Sequence, residues 1–199
     1  MKTRADARTG FSLVELLAIL AMLGTATAWL LPSVPGLLQS QARRSALDQV
    51  FASLTLARSI ALSRNRPALW AVAPAGEGWP SDYALRAFAV FRGEQTDPGA
   101  APFWVQETTW HRLPEGVVFD PETPGSSPLN GWSAPNPLTG QPLNIHGLHF
   151  EPDGSLNTDS ETSLVRLNSF RQPRRGTRTG LSDIIQVRPS TGMARLIPQ

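Results

Sequence analysis

The sequence contains no cysteine. Disulfides, thiol catalysis and cysteine-ligated metal sites are therefore excluded. The chain also lacks the motifs of common enzyme sites, since it has no Gly-x-Ser-x-Gly elbow, no phosphate-binding glycine loop and no His-Glu-x-x-His. We therefore predict that the protein is not an enzyme and that it has no catalytic residues, no cofactor and no metal site.

Histidines are few: His111, His146 and His149. His146 and His149 are three residues apart, and on a strand an odd separation sends two side chains to opposite faces. We therefore interpret them as structural or surface residues rather than metal ligands.

The formal net charge of +2 comes from the first ten residues, where Lys2, Arg4 and Arg8 outnumber Asp6. Without this leader the chain is neutral, so its charge does not indicate nucleic acid as a partner. The rest of the chain is long enough for one apolar helix and one domain with a sizeable core.

From Phe11 to Leu31 the only ionisable residue is Glu15. As a helix this stretch spans roughly 31 Å, which predicts a transmembrane helix. An ordinary secretory signal with a cut after Ala28, or a plain anchor, would have the same charged-then-apolar order. Neither explains Glu15, because an acid in an apolar segment needs a partner.

The motif Gly-Phe-Ser-Leu-Val-Glu-Leu-Leu at residues 10–17 resembles the class III signal of type IV pilins and type II secretion pseudopilins. The resemblance implies cleavage between Gly10 and Phe11 by a prepilin peptidase, N-methylation of Phe11, and a role for Glu15 in filament assembly. A new amine on Phe11 would lie one helical turn from Glu15.

A second helical pattern follows Pro32 and Pro35-Gly36, where we expect a kink or local melting. It should end near Asn65, because Pro67 disfavours helical geometry at Arg66. The apolar residues of its predicted buried face are Leu47, Val50, Phe51, Leu54, Ala57 and Ala61.

Short alternating segments then predict strands. They cover residues 68–73, 83–92, 103–110, 117–120, 148–151, 164–168, 183–188 and 193–197. Strands that follow one helix, without alternating helices, favour an antiparallel α+β domain. The predicted fold is a long N-terminal helix, with a membrane half and an amphipathic half, packed on an antiparallel β-sheet, as in pilins; Pro189 to Gly192 should connect the last two strands as a hairpin.

The predicted organisation is a leader over residues 1–10, a transmembrane and assembly helix over 11–31, an amphipathic helix over 32–66 and a periplasmic β-rich domain over 67–199. Residues 121–142 hold six prolines and three glycines, so we predict a long loop there.

Later segments are similar to signatures of the H-type minor pseudopilins and the FimT-like minor pilins. They are Ala57 to Pro67, Leu113 to Gly116, Phe150 to Ser155 and Thr191 to Leu196. The resemblance implies a single-pass protein of the bacterial inner membrane, with its C-terminal domain in the periplasm. It also implies that the partners are other pilin-like subunits in a helical filament.

Two polar clusters offer alternatives. Oxygen-bearing side chains alternate from Asp153 to Glu161, but the calcium-loop pattern fails because Thr158 replaces its glycine, so an acidic solvated turn is the interpretation. A second cluster consists of Arg171, Arg174, Arg175 and Arg178. Its arginines could neutralise DNA phosphates, which makes a DNA-uptake pilin the alternative to a secretion pseudopilin. A secreted enzyme or soluble binder is the remote alternative.

Overall fold

The computed structural model describes residues 12–30, 34–76, 78–94, 103–120, 128–135, 140–158, 163–169 and 181–197. The chain divides into two compact units, residues 1–40 and residues 41–199. The predicted leader, 1–10, lies outside the described residues.

Two helices occur in the described part of the chain: α1, Leu13–Leu30, and α2, Val34–Arg64. Pro35 falls in the first turn of α2, where a missing backbone N–H costs no helical hydrogen bond. At the other end Asn65 adopts a left-handed φ of 49°, and the Arg66 N–H donates to Ala61 O at 3.2 Å. The predicted helix end near Asn65 is confirmed.

The described strands form two antiparallel sheets. Sheet A contains β1 Ala68–Val72, β2 Ala87–Glu94, β3 Phe103–Gln106, β4 His111–Arg112, β6 Pro128–Pro135 and β7 Pro142–Phe150. Sheet B contains β5 Val117–Phe119, β8 Ser163–Ser169, β9 Leu181–Val187 and β10 Ala194–Ile197. The strand order is β3-β2-β1-β7-β6 in sheet A, with β4 also pairing β2, and β10-β9-β8-β5 in sheet B.

The predicted fold class is wrong. In place of one long N-terminal helix packed on a sheet, the described residues form two separate helices and mostly antiparallel strands in two sheets. Pro32 falls between the helices, and a proline supplies no N–H to continue a helical ladder. The architecture that the pilin resemblance implied is therefore not the observed one.

The predicted transmembrane helix is also wrong. Among the described residues no helix is both long enough and apolar enough to cross a bilayer. Helix α1 begins at Leu13 and has 18 residues, about 27 Å at 1.5 Å per residue, against a hydrocarbon core of about 30 Å. The predicted single-pass inner-membrane localisation is corrected with it.

The main core lies where α2 meets both sheets. One face of α2 is completely buried there, at Ala46, Val50, Leu54, Ala57 and Ala61. Trp70 of β1 packs in the same cluster and its Nε1 donates to Ser53 Oγ at 2.8 Å. The predicted buried face of α2 is therefore right at four positions, but Phe51 is 42% exposed.

A second core covers the opposite face of sheet A. Because strand side chains alternate, Leu69 and Ala71 of β1 point to this side, and both are completely buried. An aromatic layer packs over them. Its rings include Trp79 and Trp110, whose centroids lie 4.8 Å apart, and Trp79 Nε1 donates to Asn144 O at 2.9 Å.

The segment 121–142, predicted as a loop, contains β6 over Pro128–Pro135. β6 is the last strand of sheet A, and Pro128 and Pro135 stand at its two ends. Prolines at the ends of an edge strand remove few ladder hydrogen bonds, so the strand tolerates them.

The predicted final hairpin is confirmed. β9 pairs antiparallel with β10, and the Gly192 N–H donates to Arg188 O at 2.7 Å across the turn. Gly192 has a φ of 62°, which glycine adopts readily.

Candidate assembly site

Helix α1 is apolar on all sides. Eight large apolar side chains are each at least 45% exposed: Leu13, Val14, Leu16, Leu17, Ile19, Leu20, Met22 and Leu23. At 100° per residue they surround the helix, so no polar face is left for water. A helix of this composition is stable when other apolar surfaces enclose it.

Glu15 lies in the first turn of α1 and is the only ionisable residue of the helix. The Ser12 carbonyl oxygen begins the helical ladder by accepting from the N–H groups of Glu15, at 3.0 Å, and Leu16, at 3.1 Å. The Glu15 carboxylate is therefore near the positive end of the helix dipole. The Glu15 side chain is exposed.

The predicted processing site lies outside the described residues, because Gly10 and Phe11 both precede Ser12. The four arginines of the predicted DNA site also lie outside them: Arg171, Arg174, Arg175 and Arg178. Of the predicted functional side chains, Glu15 alone is placed by the structure.

The acidic turn is held by its own side chains. Asp153 Oδ1 accepts from the Ser155 N–H at 2.9 Å and from Ser155 Oγ at 2.6 Å, and these bonds lower the pKa of the Asp153 carboxyl. Asn157 Nδ2 donates to Glu151 Oε1 at 2.7 Å. No metal-binding group of three acids or histidines occurs among the described residues.

His146 and His149 lie on β7 and face opposite sides of sheet A. His146 pairs with Val72, which belongs to the main core, whereas His149 pairs with Leu69 of the second core. The predicted opposite placement is confirmed. Burial lowers the pKa of His149, and its ring lies 5.5 Å from that of Trp104.

A groove of about 280 Å³ lies between α2 and sheet A. Its lining residues are Gln49, Ala52, Ser53, Leu56, Phe88, Thr108 and His111. The Ser53 hydroxyl is occupied, because it accepts from Trp70 and donates to Val50 O at 2.8 Å. Sequence reasoning missed this groove because its walls come from distant segments, and the spacing of Gln49, Ala52, Ser53 and Leu56 on one helical face was the available signal.

Comparisons of the chain with protein families, with characterised proteins and with solved structures found no match. The resemblance of residues 10–17 to the class III signal therefore stays a prediction.

Proposed function

We propose that the chain is a structural subunit that assembles with other subunits into a helical filament by bundling α1. In the terms of the motif resemblance, it is a minor pilin-like subunit of a pseudopilus that serves type II protein secretion. One observation carries this proposal: α1 exposes apolar side chains on every side and has a single carboxylate, Glu15.

Burial of α1 in a bundle supplies the driving force. Each fully buried side chain of the leucine or isoleucine type contributes about 1.5–3 kcal/mol relative to exposure. Eight such side chains are available, although part of the gain offsets the entropy lost on association. Partners on several sides are needed, because one partner helix covers only one face of α1.

Glu15 sets the register of the bundle. A carboxylate enclosed by apolar helices is costly unless a cation neutralises it. Cleavage between Gly10 and Phe11 by a prepilin peptidase creates an amine one helical turn before Glu15 in the same chain. The same amine can pair with Glu15 of a neighbouring subunit, which would fix how far adjacent helices are offset.

The processing step is tested by the mass and N-terminal sequence of the mature protein from its native host. We expect a start at Phe11 with one added methyl group. A start at Trp29, after Ala28, would mean ordinary signal-peptide removal and would overturn the proposal.

The assembly step is tested by replacing Glu15 with Gln and following filament formation by electron microscopy and sedimentation. We expect assembly to be lost, because an amide cannot neutralise the amine. Asp48→Asn is the matched control, since Asp48 is an exposed acid on α2. Equal assembly of the Glu15 variant and the control would contradict the role of Glu15.

DNA uptake through residues 171–178 was the alternative prediction. Those residues lie outside the described part of the chain, and no observation on the described residues favours it.

A further inference from the structure

A second surface, separate from α1, lies where α2 runs beside the β9–β10 hairpin. Two contacts fix its geometry. The Arg43 guanidinium makes a two-bond salt bridge with Asp183 near the start of β9, and Arg58 Nε donates to Thr191 O beyond its end at 2.6 Å. α2 therefore runs in the same direction as β9.

The distances along the two elements align Leu47 with β10. Leu47 lies four residues after Arg43, about 6 Å along a helix, and Ile185 lies two residues after Asp183, about 7 Å along a strand. Ile185 pairs with Leu196 of β10. Leu47 and Leu196 therefore lie at the same height along α2 and the hairpin. Leu196, like its register partner Ile185, points to the face of sheet B that packs against α2.

α2 and β10 each carry a large apolar side chain that is exposed on this side of the molecule. Phe51 comes seven residues, or two helical turns, before Arg58, so the two side chains lie on the same face of α2. The contact of Arg58 with Thr191 shows that this face points towards the hairpin. Phe51 is 42% exposed and Leu196 is 50% exposed, although the register partner of Leu196, Ile185, is 1% exposed. We call the exposed apolar surface that Phe51 and Leu196 define the α2–β10 groove.

The outer edge of β10 is open as far as the described strands go. β10 ends the strand order of sheet B, and no described strand pairs with its outer side. Such an edge presents a row of backbone N–H and C=O groups that an extended peptide can pair with. The groove therefore combines apolar contact with backbone pairing.

The rim of the β10 edge is basic, and its strand arginine, Arg195, lies on the face of sheet B opposite Leu196, because neighbouring residues of a strand alternate. Arg44 on α2 and Arg188 and Arg195 on the hairpin are exposed, and within the described ranges none of them forms a salt bridge. Asp48 is the acid on the adjacent surface of α2. An acidic side chain on a strand added beside β10 would therefore lie next to Arg195 on the outer face of sheet B.

We propose that the α2–β10 groove binds an extended segment of a partner protein in which acidic and apolar residues alternate, and that this segment adds to sheet B beside β10. Alternate residues of a strand point to opposite faces. Apolar residues of the segment would face Phe51 and Leu196. Its acids would point to the opposite face of sheet B, where Arg195 lies beside its register partner Gln186.

The test uses the full-length chain in a mild detergent and a fluorescent octapeptide of alternating glutamate and valine. Fluorescence anisotropy should show saturable binding that weakens as salt is raised. A lysine–valine octapeptide should not bind, because of the arginine rim. A glutamate–valine peptide with N-methylated backbone groups should bind at least tenfold more weakly, because it cannot pair with β10.

Variants locate the site. Phe51→Ser and Leu196→Ser should each weaken binding about tenfold, and neither should unfold the domain because both side chains already contact water. Leu56→Ser is the matched control, because Leu56 is 41% exposed on the opposite flank of α2. Its binding should be unchanged.

Several results would overturn the proposal: no binding of the acidic peptide, equal binding of the N-methylated or lysine peptide, or equal weakening by Leu56→Ser. Two further results would assign the groove to a different partner. One is self-association of the chain that Phe51→Ser abolishes, and the other is binding of duplex DNA through Arg195 in preference to the peptide. Since α1 is untouched by these variants, filament assembly reports on the proposed function separately.

Discussion

Two glycines meet beneath the last hairpin, and each leaves space that another residue would fill. A Cβ on Gly192 would lie 2.0 Å from Gly154 O, and a Cβ on Gly154 would lie 3.0 Å from Leu62 of α2. Glycine at position 192 therefore lets the hairpin contact the backbone of the segment Phe150 to Ser155, and glycine at position 154 lets that segment approach α2.

We predict that Gly192→Ala destabilises the fold by about 2–4 kcal/mol, because the overpacking adds to a φ of 62° that alanine disfavours. Urea unfolding measures the change. Gly76→Ala is the control, since Gly76 has a φ of 80° but nothing within 4 Å, and it should cost only about 1 kcal/mol. Equal losses in the two variants would show that the contact with Gly154 is unimportant.

His149 should make stability depend on pH. Burial lowers its pKa below 6.5 in the folded chain, with Glu151 opposing the shift. The unfolded chain then binds the proton more readily, so the free energy of unfolding falls as pH drops below 6.5 and levels off below the folded-state pKa. Urea midpoints between pH 5 and 8, compared with His149→Gln, should show a flatter profile in the variant.

The unmodified chain measured at the same pH values provides the control for this prediction. A slope that His149→Gln does not change would assign the pH dependence to another group.

For single residues, the sequence predicts the face of a strand or helix on which a side chain lies when local spacing alone determines it. The faces of His146 and His149 follow from their odd separation. The exposure of Phe51 does not follow from spacing, because helical periodicity places Phe51 within the apolar stripe of α2. Its exposure depends on where the hairpin packs, which is a tertiary contact.

At the scale of elements, α2 is held to sheet B by the salt bridge between Arg43 and Asp183. Both groups are partly buried, at 29% and 13% side-chain exposure. We predict that Asp183→Asn lowers the free energy of unfolding by about 2 kcal/mol. This lies between the small effect of breaking an exposed salt bridge and the large effect of removing one partner of a buried salt bridge. Chemical denaturation measures it, and a double-mutant cycle with Arg43→Gln should give a coupling of similar size.

The exposed pair Asp82–Arg112 is the comparison. Its atoms are 3.8 Å apart and its side chains are more than half exposed. Asp82→Asn should therefore change stability by less than about 0.5 kcal/mol. A loss as large as that of Asp183→Asn would contradict the assigned role of burial.

Elements set by local signals were predictable, and elements set by distant partners were not. Pro67 and Asn65 end α2 where the sequence indicated. β6 was missed because the prolines of residues 121–142 favour a loop, and only the pairing with β7 makes a strand there. The aromatic layer over sheet A was missed because Trp79 and Trp110 are 31 residues apart in the chain and meet only in the fold.

At the scale of the whole molecule, the two units differ in what they expose. Residues 41–199 bury both cores, whereas the described apolar residues of α1 are exposed. We predict that a chain starting at Gln41 unfolds cooperatively and stays monomeric, while the full-length chain associates. Sedimentation and thermal unfolding of both chains measure this, and loss of cooperative unfolding in the shorter chain would contradict it.

β1 is an interior strand of sheet A. It is hydrogen-bonded to β2 on one side and to β7 on the other, and all five of its residues are buried. In deuterated water its amide protons should exchange through complete unfolding rather than through local opening. The slowest exchange rates in β1 would then give the global unfolding free energy under native conditions, without any denaturant.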